Sequence, residues 1–138
     1  MTRICKVLVV EDDEAVRAVL GDVFEEEGYG FTLVADGAAM REALDGDDYD
    51  IVVLDISLRG GESGFDLAQE AKRQGCGVIL TSGDPAQFTR MRDSEWHTLA
   101  KPFQMRHLTA LADQILQEIA VECVRRTRSD GSAFPARP

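Results

Sequence analysis

Three charged sites in this chain each follow a short apolar run. Glu11-Asp12-Asp13 follows Val7-Leu8-Val9-Val10, Asp55 closes Asp50-Ile51-Val52-Val53-Leu54-Asp55, and Lys101-Pro102 follows Leu99-Ala100. Carboxylates brought together repel: at ~4 Å and an effective dielectric of ~20, each pair costs about 4 kcal/mol. A hard divalent cation offsets that cost, and Mg²⁺ characteristically takes one or two carboxylates, keeps several waters and bridges to phosphate oxygens. Asp12, directly after the strand and one further acid, is therefore expected to be a metal ligand. Asp13 and Glu14 are expected instead to favour the positive N-terminus of the helix that follows.

Asp55 alone would read as an ordinary aspartate opening a turn after a strand. With Lys101 it becomes a candidate nucleophile, because a carboxylate forming an acyl phosphate needs cationic stabilisation of the entering phosphoryl group as well as metal. Pro102 biases Lys101 toward an extended or turn conformation, and the flanking Leu99-Ala100 and Pro102-Phe103 argue against a free surface lysine. Thr81, in Leu80-Thr81-Ser82-Gly83, offers a hydroxyl to a phosphoryl oxygen and is followed by small residues. Threonine is also common in strands for propensity alone.

These residues are far apart in sequence, so the elements between them must bring them together. Apolar runs suited to buried strands alternate with stretches of helical period, the pattern of an α/β doubly wound parallel sheet. Five pairs are legible. Strands are expected at Lys6 to Val10, Phe31 to Ala35, Ile51 to Leu54, Gly77 to Ser82 and Trp96 to Ala100. Ala15, Val16, Val19, Leu20, Val23 and Phe24 form one helical stripe stopping at Gly28, a plausible C-terminal cap. Gly37 to Leu44 and Phe65 to Gln74 read as the second and third helices. Asp84-Pro85 looks like the start of the fourth, with two turns at most, since only Phe88 and Met91 form an apolar pair there. Leu108, Leu111, Ala112, Ile115 and Ile119 make a long stripe from Gln104 to about Cys123. In an open parallel sheet, ligands bind at the carboxyl ends of the strands, where the three charged sites would converge.

A chain of 138 residues with 44% hydrophobic residues suits one domain with an ordinary core. The formal charge of -10 disfavours direct nucleic acid and anionic membrane partners. The acid is concentrated before the C-terminal tail, where Arg125, Arg126, Arg128 and Arg137 face Asp130 alone. Cys5, Cys76 and Cys123 form no CxxC pair, which fits a reduced cytoplasmic chain, with Cys5 packing beside the first strand. No apolar stretch approaches the ~20 residues of a membrane span, and no signal core opens the sequence.

Taken in order, Val9-Val10-Glu11-Asp12, Leu54-Asp55 with a Gly-rich loop to Gly64, Leu80-Thr81-Ser82 and Lys101-Pro102-Phe103 resemble the receiver domain of bacterial two-component response regulators, over about residues 4 to 120. The resemblance implies a flavodoxin-like fold with five parallel strands in the order 2-1-3-4-5, filling residues 1–123, with a disordered tail over 124–138. It implies that Asp55 accepts a phosphoryl group from a sensor histidine kinase or a histidine phosphotransfer protein. Glu11, Asp12, Asp55 and the backbone carbonyl of Ser57 would surround Mg²⁺. Thr81 would be the switch hydroxyl, and Lys101 the cation of the family pattern.

The chain departs from that pattern in places. The loop Leu58-Arg59-Gly60-Gly61-Glu62-Ser63-Gly64 is longer and lacks a proline, from which a mobile loop is expected. Thr98 stands where many receivers carry an aromatic residue, with Trp96 on the same strand face as either a replacement or a core residue. With no effector domain evident, a stand-alone receiver switching protein contacts is expected, and Leu116, Ala120 and Val124 suggest a partner or homodimer face on the fifth helix. Two alternatives stay open. An aspartyl phosphatase would carry a second acid where Ser57 stands, and a phosphorylation-independent interaction module would keep the fold without the chemistry.

Overall fold

The apolar runs become strands of a parallel sheet whose central members are covered on both faces by crossover helices. The structure is a computed structural model that describes residues 5–58 and 63–130, with side chains through 119, and in it ten elements alternate. They are β1 (Lys6–Val10), α1 (Glu14–Glu26), β2 (Gly30–Val34), α2 (Gly37–Gly46), β3 (Ile51–Asp55), α3 (Gly64–Arg73), β4 (Gly77–Ser82), α4 (Pro85–Arg92), β5 (His97–Ala100) and α5 (Met105–Asp130). All strand pairs are parallel, in the order β2-β1-β3-β4-β5. This is the flavodoxin-like order expected. The central strand β3 is buried along its whole length, while the edge strands β2 and β5 are only partly buried.

Strand alternation divides the core in two. Leu8, Val10, Val52, Leu54, Val78 and Leu80 face α2, α3 and α4, where Met40, Leu67 and Met91 pack. Val7, Val9, Ile51, Val53 and Ile79 face α1 and α5, where Leu20, Phe24, Leu108, Ala112 and Ile115 pack.

Carboxylates and hydroxyls begin the helices. Asp13, Asp36, Ser63 and Asp84 are the N-caps of α1, α2, α3 and α4, each accepting a backbone N–H in the first turn. Gly28 and Gly75 end α1 and α3 with φ of 81° and 91°, the left-handed conformation that glycine adopts without strain. Gly64 serves a different need. A Cβ there would stand 2.5 Å from Ile56 Cα, so the start of α3 can rest on the loop leaving β3 only as glycine.

Two expectations need correction. Val19 is 48% exposed, because the inward arc of α1 is centred on Leu20, Gly21 and Phe24, and Val19 lies past its edge. The fifth helix does not stop near Cys123 but continues to Asp130, so residues 124–130, expected to be disordered, have helical backbone. Leu116 is partly buried, packed at the margin of the α1 and α5 side of the core. The side chains of Ala120, Cys123 and Val124, residues 131–138, and the expected mobile segment Arg59 to Glu62 lie outside the described residues.

Candidate functional site

Glu11, Asp55 and Lys101 continue the alternation of Val9, Val53 and Leu99, so all three leave their strands on the same side of the sheet at its carboxyl edge. Glu11 N–H donates to the Val34 carbonyl at 3.0 Å and extends the β1 to β2 ladder by one residue. Asp55 is the last residue of β3, paired in register with Thr81. The Lys101 N–H donates to the Ser82 carbonyl at 2.8 Å, and the Lys101-Pro102 peptide is cis. Three chain segments thus place their charges by backbone pairing.

The charges then meet. The Lys101 ammonium donates to Asp55 Oδ2 at 3.0 Å and also pairs with Glu11 Oε1. Glu11 and Asp55 are 2% and 5% exposed, so neither carboxylate is solvated as it would be on a surface. Ser57 N–H donates to Asp55 Oδ1 at 2.7 Å. Glu11, Asp12, Asp13, Asp55, Ser57, Gly83, Asp84 and Lys101 line one open crevice.

Burial and the neighbouring Asp55 hold the Glu11 carboxyl up at about 7, against the opposing pull of Lys101. Burial also pushes Asp55 up, but the hydrogen bonds from Glu11, the Ser57 N–H and Lys101 outweigh it, and Asp55 titrates below the usual carboxylate range. Lys101 is pushed down by burial and more strongly up by both carboxylates, so it stays a cation. The outcome is an ionised Asp55 beside a Glu11 that takes the proton first.

Carboxylate oxygens of Glu11, Asp12 and Asp55 lie within 4.8 Å of one another. Glu11 Oε2 is buried without a hydrogen-bond partner among the described residues. A hard divalent cation fits this donor set, since it would take up the orphaned oxygen and neutralise the acidic cluster.

Asp12 and Ser57 stand at this crevice as expected, and Asp13 combines its capping role with a place on the crevice wall. Thr81 and Ser82 are both buried at the end of β4 and neither lines this crevice, Thr81 being paired in the ladder between Asp55 and Leu99. The hydroxyl hydrogen-bonded at the edge belongs to Ser82, whose Oγ lies 2.8 Å from Ser57 Oγ and accepts the Asp84 N–H at 3.0 Å. Arg17 was not singled out by sequence either. Its guanidinium reaches back from α1 to the Glu11 carbonyl at 2.7 Å and ties the acidic loop to the helix. No residue pattern signals a side-chain bond to a backbone carbonyl.

Trp96 is partly buried against the α3 side of the core, with the Lys72 ammonium 5.3 Å from its ring centroid. Arg90 lies 4.5 Å over Phe65 in the same way, so the short α4 is held to α3 by a cation over an aromatic face as well as by Met91. No helix among the described residues is long and apolar enough to cross a membrane.

Comparison with known proteins gives one consistent result. Residues 7–113 match the family model of the response regulator receiver domain. The TorCAD operon transcriptional regulatory protein TorR of Escherichia coli is 30% identical over 117 residues, covering 82% of this chain and 50% of that protein. The aerobic respiration control protein ArcA of Escherichia coli is 32% identical over 114 residues, covering 80% of this chain and 48% of that protein. The chain therefore spans about half the length of these relatives. Among solved structures, the receiver domain of the TMAO respiratory system response regulator TorR superposes with a TM-score of 0.73 at 28% identity, covering 83% of this chain and 98% of that one. A CheY-like receiver domain protein from Methanospirillum hungatei shares the fold, with a TM-score of 0.75 at 22% identity over 87% of this chain and 99% of that one.

Proposed function

The chain belongs to the response regulator receiver domain family, and from that premise we propose that it takes a phosphoryl group from a phosphohistidine onto Asp55 in the presence of Mg²⁺ and thereby changes which proteins it binds. The donor would be a sensor histidine kinase or a histidine phosphotransfer protein, in the cytoplasm, and the receiver unit would fill residues 1–123. The observation that carries this reading is the Asp55 carboxylate: 5% exposed, kept ionised, and 3.0 Å from a lysine ammonium.

In the transfer, an Asp55 oxygen attacks phosphorus, the new O–P bond forms, and the N–P bond of the phosphohistidine breaks with its electron pair returning to the imidazole. Lys101 meets the charge on the phosphoryl oxygens, a preorganised stabilisation that needs no solvent rearrangement. Mg²⁺, when bound by Glu11, Asp12, Asp55 and the Ser57 carbonyl, would supply further positive charge at those oxygens. Asp12 fits the role of metal ligand best among these, because it is only partly buried on the crevice wall. The hydrogen bonds of Ser82 favour it over Thr81 as the hydroxyl that meets the phosphoryl group.

The resulting acyl phosphate adds charge and acceptor oxygens beside Lys101 and the end of β4, which biases the loop into α4 toward a second arrangement. Return of the phosphoryl group to water would reset the switch. The test is transfer from a radiolabelled phosphohistidine protein. Label should move to this chain, be lost on brief alkali treatment as acyl phosphates are, and be absent with Asp55→Asn. Label retained on the Asn variant would place the acceptor elsewhere and overturn the proposal.

A further inference from the structure

Ser57 touches the site twice. Its N–H donates to Asp55 Oδ1 at 2.7 Å, and its Oγ lies 2.8 Å from Ser82 Oγ, so one exposed residue joins the β3 carboxylate to the β4 hydroxyl. Ser82 itself is fully buried. Its carbonyl is held by the Lys101 N–H at 2.8 Å, and the neighbouring Thr81 carbonyl by the Ile56 N–H at 2.9 Å, so the backbone here is fixed on both sides. Rotation about its own χ1 is the motion left to the hydroxyl.

A serine hydroxyl has one proton and two lone pairs. One lone pair of Ser82 takes the Asp84 N–H at 3.0 Å, and water has no access to the remainder. In the resting site the partner is therefore Ser57 Oγ, and without it a buried polar group would be left short of a hydrogen bond.

We propose that the Ser57 side chain is a positioning residue that latches the Ser82 hydroxyl in the resting site, and that a phosphoryl group on Asp55 recruits Ser82 only by breaking the Ser57–Ser82 bond. This rests on the phosphoacceptor reading of Asp55. The latch raises the threshold for switching: part of the stabilisation gained at the phosphoryl oxygen is offset by the bond given up. Because Ser57 also holds Asp55 Oδ1 through its backbone, modification of Asp55 disturbs the latch at its base as well as competing with it at its tip.

The test titrates the full chain with beryllofluoride, a phosphoryl mimic, in the presence of Mg²⁺, following the amide resonances of Ser82, Gly83 and Asp84. Ser57→Ala, at an exposed position, should bind the mimic roughly fivefold more tightly than wild type, the factor one net hydrogen bond represents. Ser57→Thr, which restores a hydroxyl, should return to the wild-type affinity, and in a Ser82→Ala background Ser57→Ala should have no effect. Wild-type binding with an unchanged or weaker Ser57→Ala variant, or a Thr variant that behaves like Ala, overturns the latch and leaves the phosphoacceptor reading standing. Failure of the wild type to bind the mimic at all overturns both.

Discussion

The Lys101 ammonium lies 3.0 Å from Asp55 Oδ2 and also pairs with Glu11, so a single cation from the β5 end is the shared partner of two buried acids from two other strands. Removing it leaves both acids without that partner. Lys101→Ala should lower stability in denaturant unfolding by about 1–3 kcal/mol, less than for a fully buried pair because the lysine side chain is 22% exposed. Asp55→Asn in the same chain should recover part of that loss, since it removes one of the two stranded acids. A double variant no more stable than Lys101→Ala would contradict this.

Glu11 gives the metal-free protein a pH dependence of definite sign. Its carboxyl titrates at about 7 in the folded chain against 4.5 for an unperturbed glutamate, so between those values the folded chain binds more protons than the unfolded chain. The contribution of Glu11 is thus fully present below about pH 4.5 and is lost as pH rises through about 7. Asp55, held below the usual range, works in the opposite sense and contributes stability that disappears in stronger acid. Thermal unfolding of metal-free protein should show stability declining from mildly acidic to neutral pH, with that decline removed by Glu11→Gln. An unaltered slope in the Gln variant would show that another group sets it.

The two hydroxyls at the end of β4 should separate by function. Ser82→Ala should weaken the conformational response to phosphorylation, read as smaller amide shifts in α4, while leaving Asp55 able to accept the phosphoryl group. Thr81→Val, buried and paired within the ladder, should leave that response intact and affect stability instead, by about 1 kcal/mol. The reverse result would restore Thr81 to the role first expected of it.

Gly64 offers a purely steric test. In Gly64→Ala the new methyl would meet Ile56 Cα at 2.5 Å and Ile56 Cβ at 2.7 Å, backbone and branch point that cannot rotate away. Overpacking of this kind typically costs about 1–3 kcal/mol. Ile56 directly follows Asp55, so Mg²⁺ affinity should fall along with stability. Full stability in the Ala variant would mean that α3 can lift from the loop at no cost.

The sheet was legible in the sequence because its central strands carry short apolar runs, Val7 to Val10, Ile51 to Leu54 and Val78 to Leu80; β1 and β4 have the limits expected from Lys6 to Val10 and Gly77 to Ser82. Their carboxyl ends then located Glu11, Asp12, Asp55 and Lys101 together. Thr81 and Ser82 are adjacent hydroxyls on opposite faces of β4, and the bonds each makes depend on approaches between segments that alternation does not show. Val19 shows the same limit in a helix, where a six-residue apolar stripe is wider than the arc that a single layer of contacts can cover. The bonds from Ser57 Oγ to Ser82 Oγ and from Arg17 to the Glu11 carbonyl depend on approaches between segments, for which neither periodicity nor composition carries a signal.

Whether Asp55 is a phosphoacceptor is tested most directly by intact mass. Incubation with Mg²⁺ and acetyl phosphate should add the mass of one phosphoryl group to the wild type, with no addition to Asp55→Asn and none when a chelator removes the metal. An unmodified wild type that also fails to bind Mg²⁺ in titration would contradict the phosphoacceptor role and favour an interaction module that keeps the receiver fold without its chemistry.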